Sequence, residues 1–197
     1  MPFSLSPLRI PGMFILVPRV FGDARGYFLE SWNEREVEGL GVDLRFVQEN
    51  QSGSHRGVLR GLHFQKEHPQ GKLIQVISGK VFDVAVDLRR ASGSFGAWDG
   101  IVLSAEERKL LYIPPGFAHG YLVLSDEAVF SYKCTDYYHP EDEDGIRWDD
   151  PMIGIEWPDP GMLPELSGRD RALPPFDPGR DYFAPDGSPA GRPGERA

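Results

Sequence analysis

From about Asp43 onward the chain is a succession of short apolar-rich runs, each closed by turn residues, and that rhythm restricts it to a fold made mainly of strands. The clearest stretch is Lys72 to Leu88, where Ser78-Gly79 interrupts two such runs as a hairpin turn would. In the second arm Phe82, Val84, Val86 and Leu88 share one face, with Asp83 and Asp87 on the other, because side chains alternate along an extended backbone. Further strands are expected at Gly100 to Leu103, Leu110 to Ile113, Gly120 to Leu124 and Ala128 to Thr135. With 23 Gly and 18 Pro among 197 residues, punctuation is dense enough to favour turns over long helices. The expected class is all-β, a β-sandwich or jelly-roll barrel with a few short helices.

Residues 1–30 read as extended segments broken by Pro and Gly. Ser31-Trp-Asn-Glu34 then forms a capping-box pattern opening a short helix that Gly39 and Gly41 would end. One domain is expected over residues 1–176. Beyond it, 177–197 is rich in Pro, Gly, Asp and Arg, too poor in apolar groups to offset its ordering entropy, and reads as a tail.

A net charge of -9 argues against nucleic acid or an anionic membrane as a general partner, since both need a basic surface; a small anionic ligand needs only a few cations at one spot. The apolar run Met13 to Val17 is short and bracketed by Pro11 and Pro18, unlike a signal or spanning segment. The single cysteine, Cys134, reads as a small core residue and allows no intrachain disulfide, which favours a reducing, cytoplasmic setting.

Two of the five histidines stand in telling contexts. His119 ends Pro114-Pro-Gly-Phe-Ala-His119, which matches the second signature of the cupin barrels, Pro-x-Gly-x-x-His. His63 lies in Gly57-Val-Leu-Arg-Gly-Leu-His-Phe-Gln65, where alternation puts Leu59, Gly61, His63 and Gln65 on one face. A metal-binding cupin would supply His-x-His and a Glu from this segment. Here Gln65 replaces the second histidine, leaving a poor ligand set, so no metal is expected, although Glu67 could complete one. There is no Gly-rich dinucleotide fingerprint either. What remains is acid–base chemistry, with a neutral histidine as base and Tyr132, alternating with Phe130 and Cys134 on an inward face, as acid. Strict alternation puts Arg60 opposite His63, unless Gly61 sits at a bulge or Arg60 serves the site from an end or an interface.

Several segments, in order, then resemble one family: Phe21-Gly-Asp-Ala-Arg-Gly-Tyr-Phe-Leu-Glu30, Phe46-Val-Gln-Glu-Asn50, Gly57 to Gln65, Gln70-Gly-Lys72, Ile113 to Gly120, Tyr132-Lys-Cys-Thr135 and Leu166-Ser-Gly-Arg-Asp170. Over roughly residues 3–176 the chain is similar to the dTDP-4-dehydrorhamnose 3,5-epimerases. The resemblance implies a homodimeric jelly roll that epimerises dTDP-4-dehydro-6-deoxy-D-glucose at C3 and C5 without a cofactor, in dTDP-L-rhamnose biosynthesis. Position by position, His63 resembles the base, Asp170 its orienting carboxylate, Tyr132 the proton donor and Lys72 the cation beside the enolate, while His119 matches another ligand-contacting position. Arg25, Glu30, Gln48, Glu49, Asn50 and Arg60 match nucleotide-binding positions, Tyr138 an aromatic that stacks on thymine, and Glu143 and Arg169 further substrate contacts. Glu49 and Arg169 depart from the more usual Asp and Lys; charge is kept, so contact geometry is affected rather than the reaction.

Three other readings compete with this one. They are an epimerase acting at a single centre, a metal-dependent cupin using His63, Gln65, Glu67 and His119, and a non-catalytic sugar-nucleotide binder.

Overall fold

A computed structural model describes residues 3–190. Thirteen strands and two short helices follow one another as β1 (Phe3–Pro7), β2 (Phe14–Pro18), β3 (Val20–Asp23), β4 (Gly26–Leu29), α1 (Glu34–Glu38), β5 (Gln48–His55), β6 (Leu59–Gln65), β7 (Lys72–Ser78), β8 (Lys80–Asp87), β9 (Trp98–Ser104), β10 (Leu110–Ile113), β11 (Phe117–Val123), β12 (Glu127–Cys134), β13 (Glu143–Gly145) and α2 (Gly168–Arg171). Two antiparallel sheets stack face to face: β1-β2-β10-β7-β12-β5 and β13-β6-β11-β8-β9. The strands β3 and β4 form a separate ribbon.

The apolar periodicity explains the stacking. Ile15, Ile74, Val76 and Phe130 from one sheet meet Val81, Ala85, Leu103 and Val123 from the other in the central core. The outer face of the second sheet, with Val84, Val86 and Leu88, is covered in turn by Ile146, Ile153, Phe176, Tyr182 and Phe183. On the outside of the first sheet Phe14, Leu16, Leu73 and Leu110 pack beneath Val37 and Leu44. Both faces of β8 are therefore covered, and its polar face, bearing Asp83 and Asp87, is the one turned between the sheets.

Three expectations need correction. The Ser78-Gly79 turn does not make a hairpin, because β7 pairs with β10 and β12 whereas β8 pairs with β11 and β9. At Gly79 the chain passes from one sheet to the other with φ of 78°, and a Cβ there would lie 2.0 Å from the Glu127 carbonyl oxygen. Two runs that are each buried on both faces can equally be adjacent or stacked, and alternation alone does not distinguish these.

The helix cap lies two residues later than the Ser31 box. Asn33 accepts from the Glu36 N–H at 3.3 Å, and Gly39 ends the helix in a right-handed conformation. The supposed tail, as far as residue 190, is part of the packed body: Phe183 is fully buried, Tyr182 nearly so, and Arg180 pairs with Asp144 at 2.7 Å. Two buried aromatic side chains, that ion pair and the Arg90 N–H bond to the Phe183 carbonyl at 2.8 Å tie down a segment whose average composition reads as unstructured. Residues 191–197 of that expected tail lie outside the described residues.

Candidate active site

The parity question at Arg60 is resolved by a bulge. In the β6–β11 ladder His119 faces His63, but Tyr121 faces Arg60, so β6 carries one extra residue across that interval. Gly61 makes this possible: its φ is 112°, and a Cβ would come within 2.6 Å of the Gly120 Cα and the His119 carbonyl oxygen. Arg60 and His63 consequently line the same cavity, an opening of about 740 Å³ between the two sheets. That volume suits a drug-sized or nucleotide-sized ligand.

All four residues expected to do chemistry meet there: His63, Lys72, Tyr132 and Asp170. Asp170 comes from α2, whose N-cap Ser167 accepts from the Asp170 N–H at 3.0 Å and donates to its Oδ2 at 2.9 Å. This fixes the carboxylate so that Oδ1 lies 2.5 Å from His63 Nε2. Burial works to raise the pKa of Asp170, but the bonds from His63, Ser167 and the Gly61 N–H outweigh it and hold the group below the ordinary carboxylate value. A carboxylate accepting from Nε2–H leaves Nδ1 of a neutral imidazole as the free base nitrogen. Glu143 Oε1 lies 3.7 Å from that nitrogen.

Tyr132, on β12, is mostly buried, and this burial in the first place pushes its phenol up to about 12, so at neutral pH it holds its proton. The Lys72 side chain, on β7, has no hydrogen-bond or ion-pair partner among the described residues. Removal from water lowers its pKa, while the nearby Cys134, Glu143 and Asp83 oppose that effect. An ammonium so placed has most to gain from an oxyanion arriving in the cavity.

Of the ten residues expected to bind substrate, Gln48, Asn50, Arg60, His119, Tyr138, Glu143 and Arg169 line the cavity. Three do not. Glu49 lies between Gln48 and Asn50 on β5, so alternation turns it to the outer face, where Lys133 holds it at 2.7 Å and Ser131 at 3.0 Å. Arg25 sits in the turn of the β3–β4 ribbon, almost fully exposed and paired with Asp23 at 2.6 Å. Glu30 follows that ribbon and accepts from Asn33 at 3.3 Å. For Arg25 and Glu30 sequence position could not show this, because the ribbon that carries or precedes them belongs to neither large sheet.

Sequence reasoning also passed over Asp83, which is fully buried and meets His119 Nε2 with both oxygens at 3.0 Å. A charged residue inside the apolar run Val81 to Leu88 was the available signal. Among the described residues no group of three His, Cys, Asp or Glu side chains is placed to hold a metal ion. His63 and His119 are each engaged by a carboxylate, and Gln65 by backbone groups.

Fold and cavity together define a jelly-roll enzyme of the cupin type, equipped for proton transfer. The model of the dTDP-4-dehydrorhamnose 3,5-epimerase family matches residues 7–178, and the chain belongs to that family. It is 58% identical over 156 residues to the dTDP-4-dehydrorhamnose 3,5-epimerase of Methanothermobacter thermautotrophicus, covering 79% of this chain and 84% of the relative. To the enzyme of the same name from Salmonella typhimurium it is 54% identical over 170 residues, covering 85% and 92%. The crystal structure of dTDP-6-deoxy-D-glucose-3,5-epimerase from Legionella pneumophila, in complex with dTDP-4-keto-L-rhamnose, superposes with a TM-score of 0.83 at 46% identity, covering 89% of this chain and 99% of that one.

Proposed function

We propose that this protein is an isomerase that inverts C3 and C5 of dTDP-4-dehydro-6-deoxy-D-glucose to give dTDP-4-dehydro-L-rhamnose, the precursor of dTDP-L-rhamnose. Both carbons flank the C4 ketone, so one carbonyl acidifies both hydrogens. The observation that carries the reading is the gathering of a carboxylate-bound imidazole, a protonated phenol and an unpaired lysine side chain around one cavity.

In this reading His63 Nδ1 removes the proton from carbon, and Asp170 stabilises the imidazolium through Nε2–H. Lys72 meets the charge that develops on the C4 oxygen; loss of one such donor typically costs about 3 to 4 kcal/mol of transition-state stabilisation. Tyr132 returns a proton from the other face, and return on the opposite face is what inverts the centre. Gln48, Asn50, Arg60 and Arg169 hold the nucleotide end and Tyr138 offers its ring to the base, with His119 and Glu143 at the sugar. The guanidinium forks suit phosphate oxygens.

The test is turnover of dTDP-4-dehydro-6-deoxy-D-glucose in deuterated buffer containing a chelator, read by mass spectrometry. Deuterium at both C3 and C5 is expected. Incorporation at one centre would establish the single-centre reaction instead, activity lost with the metal would establish a metal cupin, and tight dTDP binding without exchange would establish a binder.

The same reading includes a homodimer in the cytoplasm. The β3–β4 ribbon supports dimerisation, since it exposes Phe21, Tyr27 and Phe28 at 48%, 62% and 66%. A monomeric protein gains nothing from such an apolar surface in water. A second copy would cover it and receive Arg25 and Glu30 beside its own cavity, which accounts for two binding positions lying away from this chain's site. Sedimentation of Phe21→Ser/Phe28→Ser against the parent protein checks this; an unchanged mass would remove the ribbon as the interface. The sole thiol, Cys134, is buried and unpaired, as suits a reducing compartment. No helix among the described residues is long and apolar enough to cross a membrane.

A further inference from the structure

Gln65 is only 3% exposed, yet neither its burial nor its bonds belong to the chemistry described above. Its Nε2 donates to the His68 carbonyl at 2.7 Å and to the Tyr137 carbonyl at 3.1 Å, and its Oε1 accepts from the His139 N–H at 2.7 Å. The last two contacts grip the peptides on either side of Tyr138. Gln48 completes the hold, its Oε1 accepting from the Tyr138 N–H at 2.9 Å. Three of the four backbone polar groups flanking this tyrosine are therefore held by two glutamines. The phenol oxygen is fixed too, donating to Glu143 Oε2 at 2.5 Å, and Glu143 stands directly opposite Gln65 in the β6–β13 ladder.

The geometry points to Gln65 as a positioning residue that sets the Tyr138 ring at the cavity rim as a preformed platform for the thymine base. The inference rests on the function proposed above and deepens it. Two donors and one acceptor on a single short side chain are needed here, and only a carboxamide supplies them. A histidine at this position, as in the metal-binding members of the fold, lacks that set. Tyr138 itself is 45% exposed and belongs to none of the apolar clusters among the described residues, so its readiness for a base depends on the phenol's bond to Glu143 and on the backbone beneath it. A ring held in its binding position before the ligand arrives loses less freedom on binding, and the gain appears in affinity rather than in the rate of proton transfer.

The experiment is calorimetric titration of the full-length protein with dTDP, together with steady-state kinetics, for the parent, Gln65→Met, Tyr138→Ala and the double variant. Gln65→Met is expected to weaken dTDP binding roughly tenfold, the scale of one or two lost hydrogen bonds. It should raise KM in parallel while kcat stays within about threefold, and it should add nothing once Tyr138 is gone. Gln65→Glu keeps the shape and the acceptor but loses both donors, so the same pattern is expected from it if the methionine variant does not fold. Unchanged affinity, an equal loss in the Tyr138→Ala background, or a fall in kcat matching that in kcat/KM would each overturn the assignment. Failure of the parent protein to bind dTDP would overturn the proposed function and this inference with it; binding by the parent and both Gln65 variants alike would overturn only the latter.

Discussion

Two imidazoles line the same cavity, each bound to a carboxylate, and the two pairs are maintained by opposite means. His63–Asp170 joins a strand to a four-residue helix, and the imidazole is 30% exposed to the opening. His119–Asp83 joins two paired strands, β11 and β8, with 10% and 0% of the two side chains exposed. Around Asp170, donors from His63, Ser167 and the Gly61 N–H overcome burial and keep the carboxylate charged. Around Asp83, burial dominates; the opposing influence of His119 and Lys72 is too small, and the pKa rises. The same two side-chain types thus make an accessible pair with a charged carboxylate in one place and a desolvated pair in the other. What decides between them is the balance of burial against donors: Asp83 is the more deeply buried, and Asp170 receives the more donors.

Replacing the two histidines should break the symmetry most visibly. His63→Ala is expected to lower solvent-deuterium exchange at C3 and C5 by at least about 10³-fold, whereas His119→Ala should leave exchange readily measurable with a loss nearer tenfold. Equal losses would mean that the second imidazole also moves protons. The carboxylates should follow the same order. Asp170→Asn is expected to lower kcat by about 10² to 10⁴, as when the orienting carboxylate of a hydrolase triad is removed, and Asp83→Asn by much less.

The smallest effect is in stability, and there the two pairs should differ in sign. Asp170 has a lowered native pKa, so its stabilisation is present above the ordinary carboxylate value and is lost as pH falls through the native one. Asp83 has a raised native pKa, so ionising it costs stability progressively as pH rises from the ordinary value through the native one. Denaturant unfolding between pH 3 and pH 8 should therefore show the deficit of Asp170→Asn growing with pH, and Asp83→Asn gaining on the parent protein over the same range. Parallel trends would contradict the opposite balance of burial and donors at the two carboxylates.

How much of this could be read beforehand differs from element to element. The strand at Leu110–Ile113 coincides with its expected limits, and Tyr132 faces inward as alternation requires, because both depend only on local periodicity. His63 and His119 were legible for the same reason, each standing in a short motif whose turn or strand delivers it. Asp83 was assigned to the correct face of its strand, but that this face is the one turned between the sheets was not legible. Nor was the covering of the second sheet by Tyr182 and Phe183, which a sparse composition concealed.

The sequence by itself determined the strand rhythm, the all-β class, the family and the residue types brought to the site. These follow from side-chain alternation and from motifs spanning a few neighbouring residues, which the chain carries wherever it is placed. Only the tertiary structure decided that β7 and β8 enter different sheets, that the bulge at Gly61 brings Arg60 and His63 to one cavity, and that Gln65 holds the backbone beneath Tyr138. Each of these depends on which distant segment lies opposite, and that is set by closing two sheets over a shared core.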